Sequence, residues 1–152
     1  MSAAASLSSQ ASEMSGLEFI AAVRDGDLPP APIQDLLGFD LVESSEGRTV
    51  FALLPEERHY NPIGAVHGGV AATLLDSAMG AAVHTTLPLG SAYSTLETKF
   101  NLVRAITADT GEIRAEGVVI HRGRRVATAE GRITRASDGK LLAHGTSTCL
   151  VI

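Results

Sequence analysis

The chain has 152 residues, 45% of them apolar and 19% charged, with a single cysteine and a net charge of −5. That length suits one compact domain with a proper core, and the apolar share excludes a mostly disordered chain. One cysteine excludes an internal disulfide framework and a multi-cysteine zinc site, and the acidic balance argues against nucleic acid as a partner.

In chain order, residues 1–15 (MSAAASLSSQASEMS) have neither a basic start nor an apolar stretch. They read as a disordered tail rather than a secretory signal, so a cytoplasmic protein is expected. No apolar run approaches the roughly 18 residues that span a bilayer, so no membrane partner is expected. Residues 16–152 then read as a single domain that begins with short helices. Ser15 predicts an N-cap, with Leu17, Phe19, Ile20 and Val23 as an apolar face and Gly26 as the stop. Residues 32–37 predict another turn or two of helix, ended by Gly38. From Phe39 the period shifts towards two, and residues 39–42 and 49–54 flank the turn cluster Ser44-Ser45-Glu46-Gly47 as a hairpin.

Residues 68–84, GGVAATLLDSAMGAAVH, hold one formal charge, Asp76, and no proline. A helix apolar nearly all round is buried on most sides. Down it runs a stripe of small or polar residues, Thr73, Asp76, Ser77, Gly80 and His84, which share one helical face. Small residues there predict the close approach of a backbone or a ligand. The remainder is strand-like: residues 92–106, a turn at 108–111, 112–121, the HRGR turn, 125–135, an Asp-Gly turn at Asp138-Gly139, and 141–151. Two strands, one buried helix and four more strands predict an α+β fold, an antiparallel sheet packed on that helix.

Charge is unevenly placed. Residues 1–60 carry ten acids against three arginines, and residues 61–152 seven acids against nine bases. Arg122, Arg124 and Arg125 in HRGRR form the densest basic cluster, which suits a small anionic ligand or a solvated turn.

A carboxylate inside a buried helix costs several kcal/mol unless it is paired, hydrogen-bonded or neutralised. Asp76 follows a helix start made of His67-Gly68-Gly69, where free N–H groups and bare backbone favour developing negative charge. An oxyanion site plus a carboxylate is what hydrolysis of an acyl group requires. Gly68 and Asp76 lie eight residues apart, about 12 Å along one helix, so the two cannot touch one carbonyl carbon. If both act, Gly68 of one subunit must meet Asp76 of another, which predicts a two-fold dimer with two composite sites.

The run Asn61-Pro62-Ile63-Gly64-Ala65-Val66-His67-Gly68-Gly69, with Asp76 nine positions after the histidine, resembles hotdog-fold acyl-CoA thioesterases. The resemblance covers about residues 35–152 and is strongest to the phenylacetyl-CoA and 4-hydroxybenzoyl-CoA type. It implies a curved antiparallel sheet of five to six strands wrapped around the helix over about 68–84. It also implies an acyl-CoA substrate, no cofactor, and a homotetramer built as a dimer of dimers. By the same resemblance Asp76 is nucleophile or general base, and the Gly68 N–H polarises the thioester carbonyl. Asn61 stands near the thioester or the attacking water, and Ser94 assists on the aspartate's side. His67, Gly69 and the turn Arg122, Gly123, Arg124 and Arg125 are expected to bind substrate, the arginines gripping the phosphates of coenzyme A, with Lys99 and Arg104 as lesser candidates. A hotdog hydratase or dehydratase, using His59 with Asp76, and a non-catalytic acyl-CoA binder are the alternatives. His59, His84, His121 and His144 show no ligand spacing, so no metal is expected. Cys149 reads as a packed residue, and Tyr60 and Tyr93 as either core or acyl-pocket lining.

Overall fold

The computed structural model describes residues 9–152. Of the expected tail, residues 1–8 lie outside the described residues, whereas residues 9–11 are helical. Helix α1 (Gly16–Asp25) starts at Ser15 as its sequence predicts: Glu18 N donates to Ser15 Oγ at 3.4 Å, and Ser15 N donates to Glu18 Oε2 at 2.9 Å. Helix α2 (Pro32–Leu37) places its proline in the first turn and stops at Gly38 with φ +73°.

Six strands follow: β1 (Phe39–Ser45), β2 (Arg48–Leu53), β3 (Tyr93–Leu102), β4 (Ile113–Arg122), β5 (Val126–Arg135) and β6 (Leu141–Val151). They form one antiparallel sheet in the order β1-β2-β4-β5-β6-β3. Helix α3 (Gly68–His84) lies across one face, which is the hotdog arrangement. The expected strand over 92–106 ends early. Val103 N and Arg104 N both bond to Leu142 O, and Ile106 O accepts from Val66 N, which turns residues 103–106 towards the start of α3.

The helix sits low on the sheet because the sheet makes room for it. A Cβ on Gly117 would lie 2.3 Å from the Ala78 carbonyl oxygen, so only glycine allows that approach. From β2, Thr49 Oγ1 donates to the same Ala78 oxygen at 2.8 Å. Leu74, Leu75, Met79 and Val83 are thereby buried against Phe39, Leu53, Ile113 and Ile133. Each such side chain contributes about 1.5–3 kcal/mol by leaving water. At the far end, Thr85 Oγ1 accepts from Gly47 N at 2.8 Å, fixing the helix to the β1–β2 turn. Helix α1 docks beside it: Gly16 N bonds to Leu87 O at 3.0 Å.

Candidate functional site

The chain reaches α3 through a tight loop. Asn61 Oδ1 accepts from Ile63 N at 3.0 Å and Ala65 N at 3.2 Å, so the carboxamide oxygen shapes the loop and the amide nitrogen is left for other partners. His67 is the N-cap: its Nδ1 accepts from Gly69 N at 2.8 Å, which places the ring proton on Nε2. Val70 N bonds back to His67 O. Of the first three N–H groups of the helix, only that of Gly68 donates to no group among the described residues. Gly69, expected to bind substrate, gives its N–H to the cap. Asn61 and Gly68 line one shallow surface depression with Leu102, Arg104 and Ile106.

Asp76 is half-buried. Thr95 Oγ1 and Thr98 Oγ1 both donate to its Oδ1, at 3.0 and 3.2 Å, and no cation pairs with it among the described residues. Its second oxygen therefore keeps its lone pairs. Two threonines three positions apart face the same side only because β3 carries a bulge between Thr95 and Glu97. Ser94, which the sequence reading placed beside the aspartate, is exposed and makes no hydrogen bond to it, since its neighbour Thr95 occupies the inward position. Nothing short of the bulge itself signals the threonine pair. Behind it, Ser147 Oγ donates to Glu97 O at 3.1 Å, and Cys149 is fully buried, its thiol pushed up by burial.

One turn along the helix, a Cβ on Gly80 would lie 2.4 Å from the Tyr93 hydroxyl. Two residues of strand, about 6.6 Å, match four residues of helix, about 6 Å, so Tyr93 covers Gly80 as Thr95 meets Asp76. Burial, together with the Asp76 charge, pushes the Tyr93 phenol well above its usual range. Tyr60, by contrast, spends its hydroxyl accepting from Ala108 N at 2.8 Å. His59 is buried, with Nδ1 accepting from Glu56 N and Nε2 donating to Leu37 O. Both its ring nitrogens are occupied, so it cannot relay protons with Asp76.

The basic turn joins β4 to β5. Arg122 folds back so that Nη1 donates to Gly123 O, whereas Arg124 and Arg125 are exposed and unpaired with acids among the described residues. A Cβ on Gly123 would lie 2.7 Å from Val126 O, which makes that glycine part of the turn. The registers Arg122↔Ala127, Ala127↔Cys149 and Cys149↔Thr95 run as one row across the sheet. The turn thus stands at the same end of the sheet as Thr95, three strand spacings or about 14 Å away. Within one chain, the structure brings Asn61, His67 and Gly68 together at the helix start, and Asp76 with Thr95 and Thr98 two turns on. It does not bring the two groups together.

A thioesterase superfamily model matches residues 63–142. The chain is 31% identical to acyl-coenzyme A thioesterase 13 of Homo sapiens over 109 residues, 71% of this chain and 76% of that protein. Among solved structures it is similar to a conserved protein of Pseudomonas aeruginosa, with TM-score 0.75 and 32% identity over 81% of this chain and 95% of that one. It is also similar to a phenylacetic acid degradation-related protein of Ralstonia eutropha, with TM-score 0.77 and 28% identity over 86% of this chain and 98% of that one.

Proposed function

The chain belongs to the thioesterase superfamily, and from that premise we propose that it hydrolyses acyl-CoA thioesters at two composite sites of a dimer. The observation that carries this is Asp76: a half-buried carboxylate with two hydroxyls on one oxygen and, among the described residues, no partner on the other. Acting as base, Asp76 takes a proton from water as the water oxygen adds to the thioester carbonyl carbon. Acting as nucleophile, it adds to that carbon itself, and water then opens the anhydride. Either way the carbonyl oxygen becomes an oxyanion, which the Gly68 N–H of the other subunit stabilises. The C–S bond then breaks, and CoA leaves as the thiolate, taking up a proton.

Strand β3 is the element through which we pair the subunits. It is an edge strand of ten residues, with Leu96 60% and Leu102 54% exposed. A long apolar edge left open recruits another strand. Leu102 touches Gly68, and Thr95 touches Asp76, towards opposite ends of β3. Antiparallel pairing of β3 with its copy about a two-fold axis near its middle therefore carries each Gly68 towards the other chain's Asp76. The free Arg124 and Arg125 would hold the phosphates of CoA.

The test is thiol release from a panel of acyl-CoAs, with the Cys149 background subtracted. Wild type should release thiol. Asp76→Asn should lose about a thousandfold or more. Gly68→Pro deletes the N–H at a helix position where proline is tolerated, and should lose about a hundredfold or more. Mixed after denaturation and refolding, the two variants should recover about a quarter of wild-type activity, because half the dimers regain one intact site. No recovery would place the whole site in one chain, and no thiol release by wild type would end the assignment. Sedimentation should give an even number of chains, four in the dimer of dimers that the resemblance implies.

A further inference from the structure

Tyr93 does two things that a residue placed only for packing has no need to do. It takes the place of a side chain on the central helix. A Cβ on Gly80 would lie 2.4 Å from the Tyr93 hydroxyl oxygen and 2.8 Å from Cε2, so α3 leaves out a side chain where β3 inserts a phenol. It also leaves its hydroxyl unused: among the described residues that group makes no hydrogen bond, whereas the Tyr60 hydroxyl accepts from Ala108 N. Nor is it sealed from water, for Tyr93 lines a half-open cleft of about 190 Å³. The ring itself is well seated, packed against His84 with centroids 5.7 Å apart. A phenylalanine would fill the same space, so the oxygen needs a reason of its own.

Asp76 stands four residues before Gly80 on the same helical face. The Cβ atoms of residues so spaced lie about 5–6 Å apart, and the Tyr93 hydroxyl sits beside the missing one. Asp76 takes no hydrogen bond from Tyr93; its Oδ1 is held by Thr95 and Thr98 instead. A gap of that width fits one water, since two O–H···O bonds of about 2.8 Å each reach about 5.5 Å. Tyr93 and Thr95, two apart on β3, face the same side, so the phenol and the threonines meet the helix together. The threonines fix one carboxylate oxygen and the other is left to the water. We infer that Tyr93 and this free oxygen of Asp76 hold between them the water that attacks the thioester, which makes Tyr93 a further catalytic residue. The inference rests on the acyl-thioester reading of Asp76. As the water oxygen bonds to the carbonyl carbon, the carbonyl π pair moves onto its oxygen and one water proton passes to Asp76. Tyr93 transfers no proton, because burial and the Asp76 charge push its phenol well above the usual range. Asp76 then serves as base rather than nucleophile, since a water occupies the space beside its free oxygen.

Tyr93→Phe keeps the ring and removes the oxygen. Thiol release is followed in single turnovers, with enzyme in excess, on acetyl-, octanoyl- and phenylacetyl-CoA. The saturated rate should fall about ten- to a hundredfold, by the same factor for every acyl group, because the water is misplaced and the acyl group is not. The enzyme concentration that gives half the saturated rate should stay at the wild-type value, and so should the urea midpoint. An unchanged rate would mean that the ring only packs. A fall that differs from one acyl group to the next, or that appears in the half-saturating concentration, would make Tyr93 a contact of the acyl group and overturn the inference. A crystal structure of the wild type should show a water within hydrogen-bond distance of both Asp76 Oδ2 and the Tyr93 hydroxyl, and that of Tyr93→Phe should lack it with the ring unmoved. A wild-type structure in which no water touches both groups would overturn the inference as well. No thiol from the wild type would end the hydrolase reading and this inference with it, whereas equal rates from wild type and Tyr93→Phe would end the inference alone.

Discussion

Helix α3 turns one face to the middle of the sheet and the other to the edge strand β3 and the N-terminal helices, and the two are built on opposite terms. The sheet face is Leu74, Leu75, Ala78, Met79 and Ala82, all fully buried. It meets a glycine and a threonine chosen to fit one backbone carbonyl. The other face is Thr73, Asp76, Ser77, Gly80 and His84, with four of the five only half-buried. Its polar atoms are under-partnered: Asp76 has one oxygen unengaged, and Ser77 and His84 have no side-chain bond among the described residues. One face maximises stability, while the other forgoes some of it to keep chemistry available, as functional sites generally do. Substitutions on the two faces should therefore separate cleanly in what they cost.

The largest separation is expected from Asp76→Asn set against Gly117→Val. The first should abolish thiol release yet leave the urea midpoint at or above that of wild type, since the amide still accepts from Thr95 and Thr98 and is cheaper to desolvate than the carboxylate. The second should do the reverse. Its Cβ falls where Ala78 O now sits, so the helix must lift, at about 2–3 kcal/mol by overpacking. A Gly117→Val protein of unchanged stability would mean that the helix–sheet spacing is slack. A smaller effect is expected from Thr95→Val with Thr98→Val, which strips both donors from Asp76. Activity should fall about ten- to a hundredfold, in kcat rather than KM, with stability within about 1 kcal/mol of wild type. Ser94→Ala, one residue away and facing out, should change neither, and a loss of activity there would show that Ser94 acts across the subunit boundary.

The bounds of α3 and the order of the elements were legible because long periodic segments and glycine stops leave few alternatives. The Gly117 contact was not legible, since a lone glycine in a strand does not announce which backbone it lets in. The two groups on which the proposed site rests, the carboxylate and the glycine, were legible. An acid inside an apolar helix and a glycine pair at its start are violations of local rules, and such violations point to function. The partners of the acid were missed by one residue. The family resemblance implied Ser94, whereas the bulge after Thr95 turns Thr95 and Thr98 inward together. His67 caps the helix through Nδ1, a role that Ser, Thr, Asp or Asn would advertise more plainly than histidine does. The free edge of β3 is a property of strand order, which pairing across the sheet decides and local sequence does not.

The smallest expected effect concerns the far end of the stripe. His84 packs between Phe19 and Tyr93, and burial lowers its pKa from the ordinary 6.5. The folded protein then takes up this proton at lower pH than the unfolded chain does. Its contribution is fully present above about pH 6.5 and is lost as the pH falls towards the depressed folded value, by at most about 1.4 kcal/mol per pH unit. The carboxylates held low in the native state, Glu18, Asp25 and Asp138, lose their contributions further down, as the pH passes below their ordinary values of 4.5 and 3.8. Urea unfolding at pH 7.5 and 5.0 therefore isolates the histidine. His84→Phe keeps a ring between the other two and removes the proton, so its midpoint should fall less between those pH values than that of wild type. An equal fall in both proteins would mean that the ring is protonated as readily in the native state as in the unfolded chain, and that water reaches this end of the stripe as freely as it reaches Asp76.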